Sequence, residues 1–211
     1  MAMVSELRIT AARKRADGSL LLEVKSLAVA PKRIMNQRDY ASLFEDQIAW
    51  AGGLSARRID ILLDSHGGAV HSALGMIHAL QGGKIGKIPK RILITGLCGS
   101  SATLFTGMGI PIYITPTGRF FIHGPKLAKK DDKPMGIMGR IRERIGTDET
   151  VKIMVSCYRG RAKSNGKRLN RAKILDWMRG TGTYFSAKEA EEAGFVDGIM
   201  RREVFLDGPA A

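Results

Sequence analysis

Cysteine, long apolar runs and acidic residues are all scarce in this sequence. The two cysteines, Cys98 and Cys157, lack the spacing of metal ligands, which indicates free thiols rather than a disulfide framework or a metal site. No apolar run approaches the roughly 20 residues that a membrane-spanning helix needs. Residues 1–5 contain no apolar core of a signal peptide. These absences predict a globular, cytoplasmic protein that does not enter a membrane.

The shortage of acidic residues leaves a strong positive charge. The formal net charge is +14 and the isoelectric point is about 10.1. Such a charge suits a nucleic acid, an anionic substrate or an acidic partner, and equally a basic surface without a specific ligand. Residues 159–173 carry seven basic residues and no acidic one, but they contain no aromatic residue on which a base could stack. Nucleic-acid binding therefore stays open at this point.

The chain is long enough to form one domain with a full hydrophobic core, since it has 211 residues. We expect a basic N-terminal arm over residues 1–19, one domain over 20–200 and a C-terminal tail over 201–211. The alternation of short β-branched runs with helical patterns predicts an α/β fold.

Three predicted strands end in polar, glycine-rich corners, at residues 64–68, 96–101 and 123–125. Because successive strand ends meet at one side of an α/β sheet, Gly68, Ser100 and His123 are expected to lie together.

The corner at residues 96–101 places a serine where a strand turns into a helix. Small residues on both sides keep such a turn tight and the serine approachable. The N–H groups at a helix start favour negative charge, so a serine there can attack a carbonyl carbon while they stabilise the oxyanion. The alternative is that Ser100 or Ser101 only caps the helix.

Four segments resemble the ClpP peptidases, in the same order and spacing. Residues 64–68 (DSHGG) are similar to that family's Ser-Pro-Gly-Gly corner, and residues 96–102 (GLCGSSA) to its Gly-Gln-Ala-Ala-Ser-Met-Gly turn. Residues 121–125 (FIHGP) are similar to Met-Ile-His-Gln-Pro, and 184–197 to the segment Phe-Leu-Ser-Ala-x-Glu-Ala…Gly-Leu-Val-Asp. The resemblance implies a ClpP/crotonase-like spiral of ββα units, with a divergent, protruding handle region over residues 126–173.

The resemblance also implies a serine endopeptidase that forms an acyl-enzyme from a peptide or protein substrate. Ser100 would be the nucleophile and His123 the general base, with an oxyanion hole from the N–H groups of Gly68 and Ser101. The substrate would contact Gly67, Val70 and Pro125. No metal or cofactor is implied. The partners implied are further copies of the chain in a ring and an AAA+ ATPase.

One residue of the family's catalytic triad is missing. The position of its aspartate falls on Gly182, counted back from the segment that begins at Tyr184. Without a carboxylate, a catalytic histidine loses the group that fixes its tautomer. Asp176, a few residues upstream, is our candidate for a replacement.

Three other functions stay open at this stage. The loss at Gly182 suits a catalytically weakened member of the family that binds or assembles instead of cutting. An acyl-CoA enzyme of the related crotonase fold would use the same glycine-rich corners, with basic residues for the CoA phosphates. In a serine–lysine dyad, Lys126 or Lys152 would replace the histidine as base.

Overall fold

The computed structural model of this chain describes residues 5–29, 46, 48, 49, 55–125 and 137–207. The strands formed by these residues are β1 (Ser5–Lys14), β2 (Leu20–Val29), β3 (Ile59–Ser65), β4 (Lys90–Gly99), β5 (Ile112–Ile114), β6 (Arg119–Ile122), β7 (Thr183–Ser186) and β8 (Gly198–Ile199). The helices are α1 (Val70–Gln81), α2 (Gly83–Gly86), α3 (Ile137–Ser164), α4 (Arg171–Trp177), α5 (Ala187–Glu192) and α6 (Arg202–Asp207), and a 3₁₀ helix, η1 (Ser100–Met108), follows β4.

The strands form one mixed sheet in the order β1-β2-β3-β4-β5-β8, and β6 and β7 extend from the far end of β4. Strands β2, β3, β4, β5 and β8 run parallel to one another and β6 runs parallel to β4, whereas β1 is antiparallel to β2 and β7 is antiparallel to β6. Parallel neighbours require crossover connections, which α1 and α2 supply between β3 and β4 and η1 supplies between β4 and β5. The expected α/β fold is therefore confirmed.

Strand β4 has two partners on the same edge. Its first half, including Ile92 and Ile94, pairs with β5, and its second half, which ends at Gly99, pairs with β6. A bulge in the β3–β4 ladder separates the two halves, and there the Asp64 carboxylate accepts a hydrogen bond from the Leu97 N–H at 2.9 Å. The bulge directs the end of β4 towards β6, which brings the residue after Gly99 to the end of β6.

The two faces of the sheet are covered unequally. Alternate residues of the central strands, such as Leu22, Ile61 and Ile94, belong to the main core together with α1, η1 and α3. On the opposite face a small cluster of Leu21, Leu62, Leu93 and Phe205 packs together. Phe205 comes from α6, so this helix covers the second face.

An ion network surrounds the buried carboxylate of Asp60 on that second face. Asp60 accepts hydrogen bonds from Arg58 Nε at 2.7 Å, from Arg91 Nε at 2.8 Å and from Arg15 Nη1 at 3.3 Å. Arg91 also donates to the Phe205 carbonyl and lies over the Phe205 ring, and Arg15 donates to the Leu206 carbonyl at 2.7 Å. The network joins β3 and β4 to both terminal segments of the described chain.

The terminal segments form regular structure within the expected arm and tail. Residues 5–14 of the expected arm form β1, and 202–207 of the expected tail form α6, because the Asp60 network and Phe205 hold them on the sheet. On α1 the residues Val70, Leu74 and Ile77 are half-buried, and the buried residues are Ser72, Ala73, Gly75, Met76, Ala79 and Leu80. The helix packs on η1.

None of the helices in the described ranges is long and apolar enough to cross a membrane. Within the same ranges, no group of three or more histidine, cysteine or acidic side chains could hold a metal ion.

We predict that Asp60→Ala lowers the free energy of unfolding by about 3–5 kcal/mol, because it removes the buried carboxylate that the buried Arg58 and Arg91 share. The matched control is Asp176→Ala, which removes an exposed carboxylate paired with Arg179 at 3.3 Å and should change stability by about 0.5 kcal/mol at most. Urea titration followed by circular dichroism measures both changes. Equal effects of the two substitutions would contradict the structural role of the Asp60 network.

Candidate active site

Ser100 has a strained backbone. Its φ of +55° makes it the one residue other than glycine with a positive φ in the described part of the chain. Such a conformation is costly for a residue with a Cβ atom and persists only where the surroundings enforce it. Here the Thr103 hydroxyl donates to the Ser100 carbonyl at 2.5 Å and also lies 2.5 Å from the hydroxyl of Tyr158, which is fully buried on α3. The core thus holds the turn in place.

The corner that follows β3 packs directly against this turn. Gly67 has a φ of +93°, and a Cβ atom placed on it would lie 2.6 Å from both the Gly99 carbonyl oxygen and the Ser100 Cβ, and 3.0 Å from the Ser101 nitrogen. Only a residue without a side chain fits such a gap. The buried Ser65 hydroxyl accepts a hydrogen bond from the Gly67 N–H at 3.1 Å, which fixes the corner.

The same corner leads into the N terminus of α1. Gly68 and Ala69 precede Val70, the first residue of the helix, and no side chain caps this end. The N–H groups of a first helical turn carry partial positive charge, so they favour an anion close to Gly68. Gly67, Gly68 and the half-buried Val70 thus follow the end of β3, next to the end of β4 that leads into Ser100.

His123 reaches this edge from β6. Gly99 pairs with Phe121 in the parallel β4–β6 ladder. Ser100 follows Gly99 directly, and His123 is the second residue after Phe121. The Nδ1 atom of His123 forms a hydrogen bond with the Gly124 carbonyl oxygen. A carbonyl can only accept, so this contact suits the tautomer with the proton on Nδ1, in which Nε2 is the acceptor. This assignment gives His123 the tautomer that a general base needs.

Gly182 lies beside His123, at the position where the resemblance places an aspartate. Its φ is +92°, and a Cβ atom there would lie 2.6 Å from the His123 Cβ and 2.4 Å from the Ile122 carbonyl oxygen. Asp176 is not brought to this place. Its side chain is 69% exposed and pairs with Arg179 at 3.3 Å. A role for Asp176 as third catalytic residue stays a prediction without a contact to support it.

The other nucleophilic and basic candidates lie in different surroundings. The Ser101 hydroxyl is buried and has no hydrogen-bond partner within the described residues. Burial raises the pKa of the Cys98 thiol and keeps it protonated. Lys152 is exposed on α3, Pro125 is half-buried next to His123, and Lys126 lies outside the described residues.

Three residues that support the site were absent from the sequence-based candidates. Asp64 holds the β4 bulge, and Thr103 and Tyr158 hold the Ser100 carbonyl. Asp64 stood within the corner motif, but its position did not reveal that its side chain bonds to β4. No sequence signal connects Thr103 with Tyr158, since 55 residues separate them.

A comparison with protein families identifies the chain. The Clp protease family model matches residues 36–203. The chain belongs to the Clp protease family. Among solved structures, a point mutant of ClpP1 from Listeria monocytogenes matches with a TM-score of 0.55 and 18% sequence identity, over 80% of this chain and 88% of that one. The structural match shows a shared fold, as the resemblance of the four motifs implied. A search of curated proteins gave no match.

Measurements of the free energy of unfolding can test the close contact between Gly67 and the Ser100 turn. We predict that Gly67→Ala lowers the free energy of unfolding by about 2–4 kcal/mol, because the methyl group collides with Gly99 and Ser100 and the backbone is strained. Gly109→Ala is the control, since Gly109 has a φ of +70° but nothing within 4 Å of an added Cβ atom. It should cost about 1 kcal/mol, from strain alone. A Gly67→Ala variant as stable as Gly109→Ala would refute the close contact.

Proposed function

We propose that this protein hydrolyses peptide bonds as a serine endopeptidase. The observation that carries the proposal is the strained Ser100 at the end of β4, packed against Gly67, with His123 at the end of the neighbouring strand. Membership of the Clp protease family supports the same activity.

In the proposed reaction, the Ser100 hydroxyl attacks the carbonyl carbon of the scissile bond and passes its proton to His123 Nε2. The negative charge that develops on the carbonyl oxygen is stabilised by the N–H groups of Gly68 and Ser101. His123 then gives the proton to the leaving amine, which departs and leaves an acyl-enzyme on Ser100. Water, deprotonated by the same histidine, hydrolyses that ester and restores the serine.

The Gly124 carbonyl takes over part of the role of the missing aspartate. It accepts the Nδ1 proton of His123 and so fixes the tautomer and the ring orientation. A neutral carbonyl stabilises the imidazolium ion less than a carboxylate does. Loss of the orienting carboxylate lowers the rate of a serine protease by about 10⁴, and we expect only part of that loss to be recovered here.

A catalytically weakened protein is the second candidate function. It is favoured by the absence of a side chain at Gly182 and by the exposed position of Asp176. Such a protein would keep the peptide-binding surface around Gly67, Val70 and Pro125 but turn over slowly or not at all.

Several further properties stay predictions. These are assembly into a homo-oligomeric ring, an AAA+ ATPase partner, a cytoplasmic location, a lysine base and acyl-CoA chemistry. Family membership favours the ring and the ATPase. The exposed apolar side chain of Ile153 on α3 is compatible with a contact between copies of the chain.

We predict that a fluorophosphonate probe, which reacts with activated serines, labels the purified protein and that Ser100→Ala abolishes the labelling. Ser101→Ala is the control. It removes a buried hydroxyl without a partner but keeps the backbone N–H, so labelling should persist. The measurement is in-gel fluorescence over time, supported by mass mapping of the labelled peptide. Labelling that survives Ser100→Ala would exclude Ser100 as nucleophile, and no labelling of the wild-type protein would favour the weakened protein.

We predict that restoring the acid with Gly182→Asp lowers the rate of probe labelling instead of raising it. The new Cβ atom would meet the Ile122 carbonyl oxygen and the His123 Cβ, and so displace the histidine. Gly180→Asp is the matched control, because Gly180 has a φ of +57° with nothing within 4 Å of an added Cβ atom. Its labelling rate should stay near that of the wild type. A faster Gly182→Asp variant would show that the site can still accept an aspartate.

A further inference from the structure

A basic groove runs along the C-terminal half of α3 and the segment that follows it. Its volume is about 820 Å³. Six of the residues that line it are cationic, namely Lys152, Arg159, Lys163, Lys167, Arg168 and Arg171. No acidic residue is among the described residues of its wall, and these six side chains form no ion pair within the described ranges. The groove therefore concentrates positive potential in a concave surface.

The basic groove continues into a second cavity of about 440 Å³, which we call the aromatic pocket. The two cavities share Lys167, Arg168 and Leu169. The aromatic pocket is lined further by Trp177, Tyr184 and Phe185, and by two glutamates. Trp177 and Phe185 pack edge to face, while Tyr184 is 63% exposed. A single ligand can thus contact a cationic and an apolar surface in succession.

The aromatic pocket adjoins the candidate active site. The ring of Tyr184 stacks on Phe121 with centroids 4.1 Å apart, and Phe121 packs on His123 with centroids 5.2 Å apart. Gly182, two residues before Tyr184, is in contact distance of the His123 Cβ. A chain bound at Ser100 and His123 can therefore extend over Tyr184 into the basic groove.

We propose that the basic groove binds an acidic segment of the polypeptide substrate, with an apolar side chain of the same substrate in the aromatic pocket. This proposal rests on the proposed peptidase function. It makes the substrate class an acidic polypeptide and gives the positive charge of residues 152–171 a role in selecting it. Opposite charges across a groove increase the rate of association and exclude neutral or basic competitors.

The two glutamates of the aromatic pocket favour a polypeptide over a nucleic acid. Hydrogen bonds from the Ser186 N–H and hydroxyl lower the pKa of Glu189, which keeps it ionised, and Glu192 lies 3.8 Å from Lys188. A nucleic acid carries a phosphate at every nucleotide and would place phosphates beside these carboxylates. A polypeptide can carry its acidic residues in one segment and an apolar residue in the next. Of the three rings that line the aromatic pocket, Tyr184 alone is well exposed for base stacking.

Binding can be measured without turnover in the full-length Ser100→Ala protein. Fluorescence anisotropy would compare three labelled probes of equal length: a peptide with an acidic half and an apolar half, the same peptide with glutamine for each acid, and a single-stranded oligonucleotide. We expect the acidic peptide to bind at least about tenfold more tightly than the neutral peptide at low salt, and this difference to shrink as salt is added. Equal binding of both peptides, or tighter binding of the oligonucleotide, would overturn the proposal.

Removing positive charges from the basic groove tests whether this groove causes the preference for the acidic peptide. The triple variant Arg159→Gln, Lys163→Gln and Arg168→Gln changes exposed side chains of the basic groove. Its matched control, Lys84→Gln, Lys87→Gln and Arg201→Gln, removes the same charge from exposed positions outside the two cavities. With Ser100 present, the groove variant should lower the kcat/KM ratio of acidic to neutral peptide about tenfold, whereas the control should keep it.

The two proposals fail in different ways. If the wild-type protein cleaves neither peptide while Ser100→Ala still prefers the acidic one, the peptidase function is refuted and the basic groove stands as a site for acidic polypeptides. If both peptides are cleaved at rates that neither triple variant changes, the peptidase function stands and the basic groove is refuted.

Discussion

The candidate site depends on a gap between two turns that is too narrow for a methyl group. The Gly67 corner and the Ser100 turn follow neighbouring parallel strands, so the sheet brings them together, and the missing Cβ atom lets their backbones touch. Asp64 closes the bulge on one side, and the Thr103–Tyr158 pair holds the Ser100 carbonyl from the core. Because these contacts act on one short turn, they can hold Ser100 in a conformation that it would not adopt alone.

The resemblance to the ClpP peptidases places an aspartate at position 182, where this chain has a glycine. An aspartate needs a Cβ atom, and the present backbone leaves no space for one between Ile122 and His123. An aspartate at position 182 would therefore require a different backbone in this turn. With no carboxylate at this point, the Gly124 carbonyl is the acceptor that determines the histidine tautomer. In the proposed reaction, the rate would depend on how well this dipole replaces a charge beside the imidazolium ion.

Features that depend on a few neighbouring residues could be predicted from the sequence. The strand ends at Gly68, Ser100 and His123 follow from short segments, and so does the capping box that Ser186 and Glu189 form in the structure. Features that depend on contacts between residues far apart in the sequence could not be predicted in this way. The strand β1 and the helix α6 are held by Asp60 and its arginines, which are distant in sequence. The buried face of α1 includes Gly75 and Ala79 as well as Met76 and Leu80, and periodicity alone does not reveal that this helix packs on η1.

The positive charge of the chain divides into two parts with different physical roles. Arg58, Arg91 and Arg161 are buried and are balanced by Asp60, Asp197 and backbone carbonyls, so they indicate how the fold is held and carry no information about a ligand. The six cations of the basic groove are different, because they face one another without a carboxylate among the described residues of its wall. Their mutual repulsion raises the free energy of the unliganded protein, and an acidic segment relieves it on binding. Single exposed ion pairs contribute little, but relief of this shared repulsion can make a groove of exposed lysines and arginines selective.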